Sequence, residues 1–308
     1  MSVELYRKYR PKSFKQVIGQ DVVISTIISL GKRKVIPHAI LLTGPSGVGK
    51  TTIARILRKK LGCSEHDYKE MDIGTARGID DVRQLKKNMY LAPMGGKCRV
   101  YCLDEIHRAT VDFFNGALKM LEDTPDHVYF ILCTTDPQKL PKTIINRCTE
   151  LRLSLLNRNK IESLIKEVVR KEEVVLSEDV VDRIASVAEG SPRKALVLLH
   201  SVLGMEAEEE QLAAIEAGDS SKDAFEICRA LQRSTVSWGE VSKILKGIDD
   251  LQDKAEGIRW LILSYFTTVA LGGNSEKAER ACAIIERFEE NFYDSKRAGL
   301  VAACFAVV

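Results

Sequence analysis

Residues 44 to 51 read Gly44-Pro45-Ser46-Gly47-Val48-Gly49-Lys50-Thr51 and match the G-x-x-x-x-G-K-[ST] phosphate loop at every fixed position. Glycines let such a backbone turn tightly and lay successive N–H groups on phosphate oxygens. Lys50 can reach the β and γ phosphates, and the Thr51 hydroxyl can ligate Mg²⁺, with Thr52 continuing the run. Further on, Val100-Tyr101-Cys102-Leu103-Asp104-Glu105 places two carboxylates at the end of an apolar run. At the C-terminal end of a parallel strand such groups project into the crevice where ligands bind. Asp104 is suited to hold Mg²⁺, commonly through water, and Glu105 to orient or deprotonate an attacking water. Together the two motifs spell hydrolysis of a nucleoside triphosphate. The sequence carries no Asn/Thr-Lys-x-Asp element, which argues for ATP over GTP.

Three kinds of element must position these groups. Ile40-Leu41-Leu42-Thr43 reads as a short buried strand delivering the chain to the loop, and Thr52 to Leu61 as a helix whose positive end faces the phosphates. Runs at 99–103 and 128–133 also read as buried strands, with a weaker one at 68–73. Strands alternating with helices predict an α/β fold with a parallel sheet covered on both faces. From about residue 152 the pattern turns helical. Asn157 or Asn159 is placed to cap a helix reaching Val169, and Ser177 one beginning near Glu178. Gly190-Ser191-Pro192 breaks the chain before a helix with Leu196, Leu199 and Val202. An acidic stretch at 205–222 reads as a linker or short helix-turn, and 223–308 is helical again.

The 308 residues suffice for two or three domains, and 45% apolar with 29% charged content is that of a globular protein. No run approaches the ~20 apolar residues of a membrane span, and the N-terminus lacks the apolar core of a signal peptide; a cytoplasmic protein is expected. None of the eight cysteines lies in a C-x-x-C pair, so reduced, buried thiols are expected in place of a zinc site. Net charge is +3, but residues 1–60 hold 13 Lys/Arg against 2 Asp/Glu, a balance of +11, while the remainder carries −8. Such a split fits a partner bearing phosphates at the basic end, or a solvated basic surface that helps to hold ATP.

The order of further segments carries a resemblance. Lys8-Tyr9-Arg10-Pro11 with Val17-Ile18-Gly19-Gln20, Gly44 to Thr52, Arg77 to Arg83, Leu103-Asp104-Glu105, Thr134-Thr135-Asp136-Pro137-Gln138-Lys139-Leu140-Pro141, Arg147-Cys148 and Gly190 to Leu196 follow one another between residues 6 and 196. The chain resembles an AAA+ clamp-loader ATPase subunit. It is similar to the bacterial gamma/tau subunit and to the small subunits of replication factor C and of phage clamp loaders. The resemblance implies a nucleotide-binding domain at 1–151, a helical lid at 152–208 and a helical collar at 209–308. It assigns Tyr6, Arg7, Lys8, Tyr9, Arg10, Val17 and Ile18 to the adenine and ribose. The phosphates fall to Gly44, Ser46, Gly47, Val48, Gly49, Lys50, Thr51 and Thr52. Thr135 becomes the water-placing sensor, with Thr134 as the alternative. Arg193 reaches the γ-phosphate from the lid, and Arg147 acts as an arginine finger in a neighbouring subunit's site.

The same resemblance implies a pentameric spiral of loader subunits, a sliding clamp and primer–template DNA as partners. Arg77, Arg83, Lys86 and Arg108 are the candidate DNA phosphate contacts, Arg83 and Lys86 sharing one helix side. Met89, Tyr90, Leu91 and Met94 form an apolar cluster at a helix end and are the candidate clamp contact; otherwise Met89 and Leu91 pack back on their own sheet. An AAA+ DNA motor such as a branch-migration helicase is the rival reading, although no winged helix or DNA-gripping hairpin is evident. Two departures from the bacterial pattern stand out. Only Cys63 occupies the region of the four zinc-binding cysteines, and Asn146 replaces the serine before the finger. With the short length, they suggest a phage-encoded or streamlined version working in a host cytoplasm.

Overall fold

The computed structural model describes residues 4–75, 79–205, 207–216, 221–233, 235–248, 251–272 and 275–308. The chain forms two compact units, one of residues 1–164 with 189–194 and the other of 165–188 with 195–308.

In the first unit the elements run α1 (Leu5–Lys8), α2 (Asp21–Lys32), β1 (Ala39–Thr43), α3 (Lys50–Lys60), β2 (Tyr68–Asp72), α4 (Ile79–Met89), β3 (Arg99–Asp104), α5 (Val111–Glu122), β4 (Val128–Thr134), α6 (Lys142–Ile145) and β5 (Thr149–Arg152). The five strands make one sheet in the order β2-β3-β4-β1-β5, and every pairing is parallel. Side chains alternate across a strand, so a sheet covered on both faces needs apolar residues at successive positions. β1 is buried throughout and does this. Ile40 and Leu42 pack with Ile53, Leu57, Val100 and Cys102 on one face. Leu41 packs with Tyr101, Leu103, Phe113, Phe130 and Leu132 on the other. Each fully buried Leu or Ile of this kind stabilises by about 1.5–3 kcal/mol before ordering costs.

The strands predicted from the apolar runs are β1, β3 and β4, and the weaker candidate is β2. β5 lies outside the runs recognised in the sequence. It is a four-residue edge strand in which Leu151 alone is buried, so it has no apolar run to announce it.

α7 (Arg158–Lys171) begins in the first unit and continues into the second. Asn157 Oδ1 accepts from Lys160 N at 3.0 Å and caps it. α8 (Glu178–Val187) is capped by Ser177, whose hydroxyl accepts from Val180 N at 3.2 Å. α9 (Pro192–Val202) follows, with Leu196, Leu199 and Val202 buried. α10 (Glu208–Glu216), α11 (Ser221–Gln232), α12 (Trp238–Gly247), α13 (Leu251–Gly272), α14 (Ser275–Arg287) and α15 (Lys296–Val307) complete the second unit. Buried Arg259 on α13 fastens the chain after α14 there. Its Nη1 donates to the Phe288 carbonyl at 2.8 Å, and its Nε donates to Glu256 at 3.0 Å. Among the described residues, no helix is long and apolar enough to cross a membrane.

Candidate functional site

Parallel strands bring their C-terminal ends to one edge of the sheet. Thr43, at the end of β1, is in register with Thr134 at the end of β4, and Leu103 of β3 with Leu132. The phosphate loop leaves β1 at this edge, and Asp104 and Glu105 leave β3 there. Gly44 N donates to the Thr134 carbonyl at 3.3 Å, tying the start of the loop to β4. Gly44 has φ +143°, and a Cβ on it would lie 2.4 Å from the Leu153 carbonyl oxygen. Gly47 has φ +75°, and its Cβ would meet Ser191 Oγ at 2.3 Å. At Gly44, a fixed position of the motif, a side chain would collide with backbone; Gly47 is not a fixed position, but its positive φ also favours glycine.

The groups of the two motifs converge. Lys50 is buried, and its ammonium donates to the carbonyls of Gly44 and Pro45, each at 2.8 Å. Burial lowers its pKa, opposed by Cys133, Glu105 and Asp104 nearby. Thr51 Oγ1 donates to Asp104 Oδ2 at 2.6 Å, and Asp104 Oδ1 accepts from Glu105 N at 3.0 Å. Glu105 takes the left-handed conformation, φ +52°, uncommon outside glycine and a frequent mark of functional turns. Arg108 Nε approaches its Oε2 at 3.8 Å. Ser46 is exposed and Val48 is buried in the core beneath the loop. Thr134 is fully buried, whereas Thr135 stands one residue beyond the strand and is part-buried.

Near the loop, the Arg193 guanidinium lies over the Tyr6 ring at 4.8 Å from its centroid. Tyr6, Tyr9, Arg10, Val17 and Ile18 are part-buried, while Arg7 and Lys8 are exposed. Gln20, which ends the 17–20 segment and to which the resemblance assigns no role, is buried. Its side-chain amide donates to the Ser154 carbonyl at 2.6 Å and accepts from Ser154 N at 3.1 Å. It thereby clamps the 17–20 segment to the strand exit after β5.

Of the remaining candidates, Arg108 adjoins this edge group through Glu105. Arg147 donates from Nε to Glu122 at 2.9 Å and from Nη1 to the Thr143 carbonyl at 2.8 Å. Arg83 is exposed and pairs with Asp80 at 2.9 Å; Lys86 is part-buried, and Arg108 is exposed. Arg77 lies outside the described residues.

The apolar cluster is divided. Tyr90, Leu91 and Met94 are exposed, Met94 at 82%. Met89 is fully buried, so the expectation that it contacts a partner is corrected. Val82, Leu85 and Met89 form the apolar stripe of α4 against the sheet.

Two further residues escaped the sequence reading. Asp67 accepts from Ser64 Oγ (2.6 Å) and from the backbone N–H groups of Met94 (2.7 Å), Gly95 (3.0 Å) and Gly96 (2.9 Å). Burial pushes its carboxyl up, but these donors outweigh burial and hold it well below the usual carboxylate range. His107 lies between Glu105, with Nε2 3.4 Å from Oε2, and Thr134, with Nδ1 3.0 Å from Oγ1. All eight cysteines are free thiols, and Cys63 and Cys98 are buried in the core beside α3.

Comparison with known proteins agrees with this geometry. The family model described as DNA polymerase III, delta subunit, matches residues 70–157. The chain is 37% identical over 223 residues to DNA polymerase III subunit gamma of Buchnera aphidicola subsp. Schizaphis graminum, covering 65% of this chain and 61% of that protein. It is 32% identical over 280 residues to DNA polymerase III subunit tau of Escherichia coli K12, covering 83% and 42%. The tau subunit of Bacillus subtilis is 34% identical over 221 residues, covering 65% and 39%. The chain thus spans between 39% and 61% of the length of these relatives. The same fold occurs in the Thermotoga maritima RuvB Holliday junction branch migration motor, with a TM-score of 0.53 and 21% identity over 94% of this chain and 88% of that one. At that identity the likeness concerns the AAA+ fold, whereas the sequence relatives concern descent. The relatives named here are bacterial, which lends no support to a phage origin. The chain is a homologue of the DNA polymerase III gamma and tau subunits over the segments that it shares with them.

Proposed function

We propose that this chain is an ATP-hydrolysing clamp-loader subunit that opens and loads a sliding clamp onto primer–template DNA during DNA replication. One observation carries the reading: Lys50, Thr51, Asp104 and Glu105 meet at the carboxyl edge of the sheet in a chain homologous to gamma and tau. Residues 1–151 serve as the nucleotide-binding domain, 152–208 as the lid and 209–308 as the collar that joins subunits into a pentameric spiral in the cytoplasm.

Thr51 Oγ1 and Asp104 Oδ2 lie 2.6 Å apart, two hard oxygen donors of the kind Mg²⁺ takes, so these residues fit the ion. When bound, it would offset the charge of the phosphates. The chain's own residues supply the rest. Lys50 and the loop N–H groups hold the β and γ phosphates, Tyr6 to Arg10 with Val17 and Ile18 enclose the adenosine, and Glu105 activates water placed by Thr135. Arg193 reaches the γ-phosphate, and Arg147 enters a neighbour's site. ATP favours the closed spiral that grips the open clamp, and hydrolysis withdraws that bias.

The test pairs two substitutions in the assembled loader. Lys50→Ala is expected to abolish ATP binding, and Glu105→Gln to bind ATP without turnover. Loading of a labelled ring clamp onto primed DNA, set against migration of a four-way junction, separates loader from motor. Junction migration without clamp loading would sink the reading.

A further inference from the structure

We propose that His107 is a positioning residue for Glu105, fixing its carboxylate to the end of β4. The inference rests on the reading of Glu105 as the water-activating group. After β3 the chain makes a single 3-10 turn, Ile106–Arg108, with Glu105 at its head in the left-handed conformation. That turn folds the His107 ring back beside the carboxylate. His107 Nε2 lies 3.4 Å from Glu105 Oε2, and its Nδ1 lies 3.0 Å from Thr134 Oγ1. The His107 side chain is only 9% exposed, against 58% for Arg108, whose guanidinium lies near the same oxygen.

One arrangement of protons satisfies both contacts of the ring. Thr134 is fully buried, and its Oγ1 accepts from Asp136 N at 3.0 Å. In that arrangement its hydroxyl, which keeps a second lone pair, donates to His107 Nδ1. The ring proton is then on Nε2, facing Glu105. One imidazole thus links the strand-end carboxylate of β3 to the strand end of β4, beside Thr135. A carboxylate on a turn with an unfavourable backbone conformation has several rotamers open to it. A buried donor anchored at its far side removes most of them, as partners of metal ligands do.

The experiment uses the full chain assembled with its partner subunits. His107→Ala is expected to lower kcat about 10- to 100-fold, the range seen when an orienting partner is lost. Binding of a fluorescent ATP analogue and the melting temperature should stay near those of the parent. His107→Gln, whose side-chain amide can still donate to Glu105, should recover much of the loss. Glu105→Gln runs in parallel. If it is inactive while His107→Ala turns over at the parental rate, His107 has no such role. If the alanine variant loses nucleotide affinity and melting temperature together with kcat, and glutamine restores nothing, His107 is merely a packing residue. Full turnover by Glu105→Gln would overturn the water-activating role itself, and with it the role of His107.

Discussion

Replacing Asp67 tests whether one buried carboxylate shapes the loop that displays Tyr90, Leu91 and Met94. Its side chain is inaccessible and accepts from the Ser64 hydroxyl and three successive backbone N–H groups, with Arg99 at 3.9 Å. Alanine would orphan four donors. Each costs about 1–3 kcal/mol if it stays buried, but Met94 and its neighbours can turn toward water, so the sum overstates the loss. Breaking a buried charged network at one partner costs about 3–5 kcal/mol, and that range is expected for Asp67→Ala. At about 2–4 °C per kcal/mol for a unit of this size, the melting temperature falls by about 6–20 °C. Asp67→Asn keeps one acceptor oxygen but turns an NH₂ against donors, and should cost about 1.5–3 kcal/mol.

The pH dependence supplies a second, independent reading of the same site. The carboxyl is held below its unfolded value of about 3.9. A depressed acid contributes stability above that unfolded pKa and loses it as pH falls through the native one. The gap between parent and Asp67→Asn should be full at neutral pH and close below about pH 4. Both tryptophans, Trp238 and Trp260, lie in the second unit, so their fluorescence would miss the event. Far-UV circular dichroism and amide exchange at Met94, Gly95 and Gly96 are the suitable measurements. Unfolding free energies within about 0.5 kcal/mol of the parent, the size of an ordinary surface change, would refute the carboxylate's role, as would a gap indifferent to pH.

Arg147→Ala should leave nucleotide affinity of the isolated chain intact while cutting ATPase of the assembly by about 10³ or more, since a finger acts in trans; full activity of the monomer that vanishes with Arg147 would refute that geometry. Arg83→Ala, Lys86→Ala and Arg108→Ala should each lower the salt slope of DNA binding by about 0.9 for a lost phosphate contact, measured by fluorescence anisotropy across a salt series; three unchanged slopes would make this a solvated face. Tyr90→Ala with Met94→Ala should weaken clamp binding in a pull-down or anisotropy titration without altering DNA-independent ATPase or subunit assembly. Unchanged clamp affinity places the contact elsewhere.

The legible parts of the molecule were those written in contiguous residues. The phosphate loop and the strand before it form one short run, and Asp104-Glu105 sits at the end of an apolar strand covered on both faces. β5 was not legible because an edge strand needs little apolar surface. Asp67 and His107 were not legible because their partners lie far along the chain: Met94 to Gly96 for one, Thr134 for the other. Nothing local to Ser64-Glu65-His66-Asp67 distinguishes a buried anchor from a polar turn. Met89 is a different case. Its spacing from Leu85 and Val82 is that of the buried stripe of an amphipathic helix, and that signal was present in the sequence. Tyr90 and Leu91, just after it, fall off the stripe and are exposed.

The geometry around Lys50 also ranks the two substitutions proposed for the ATP site. Its ammonium bonds the carbonyls of Gly44 and Pro45, so it braces the loop that it serves. A phosphate oxygen, being charged, is a stronger acceptor than either carbonyl, and the lysine can exchange one role for the other as nucleotide binds. Lys50→Ala therefore removes a brace and a ligand at once, and lost affinity in that variant does not separate the two. Glu105 makes no contact with the loop carbonyls. Its backbone N–H donates to Asp104 Oδ1, and its carboxylate lies near His107 and Arg108. Glu105→Gln preserves the shape of the side chain and leaves the loop's brace in place. Bound nucleotide without turnover in that variant is accordingly the sharper evidence that this edge of the sheet is built for hydrolysis, and a normal rate there would remove Glu105 from the chemistry whatever Lys50→Ala does.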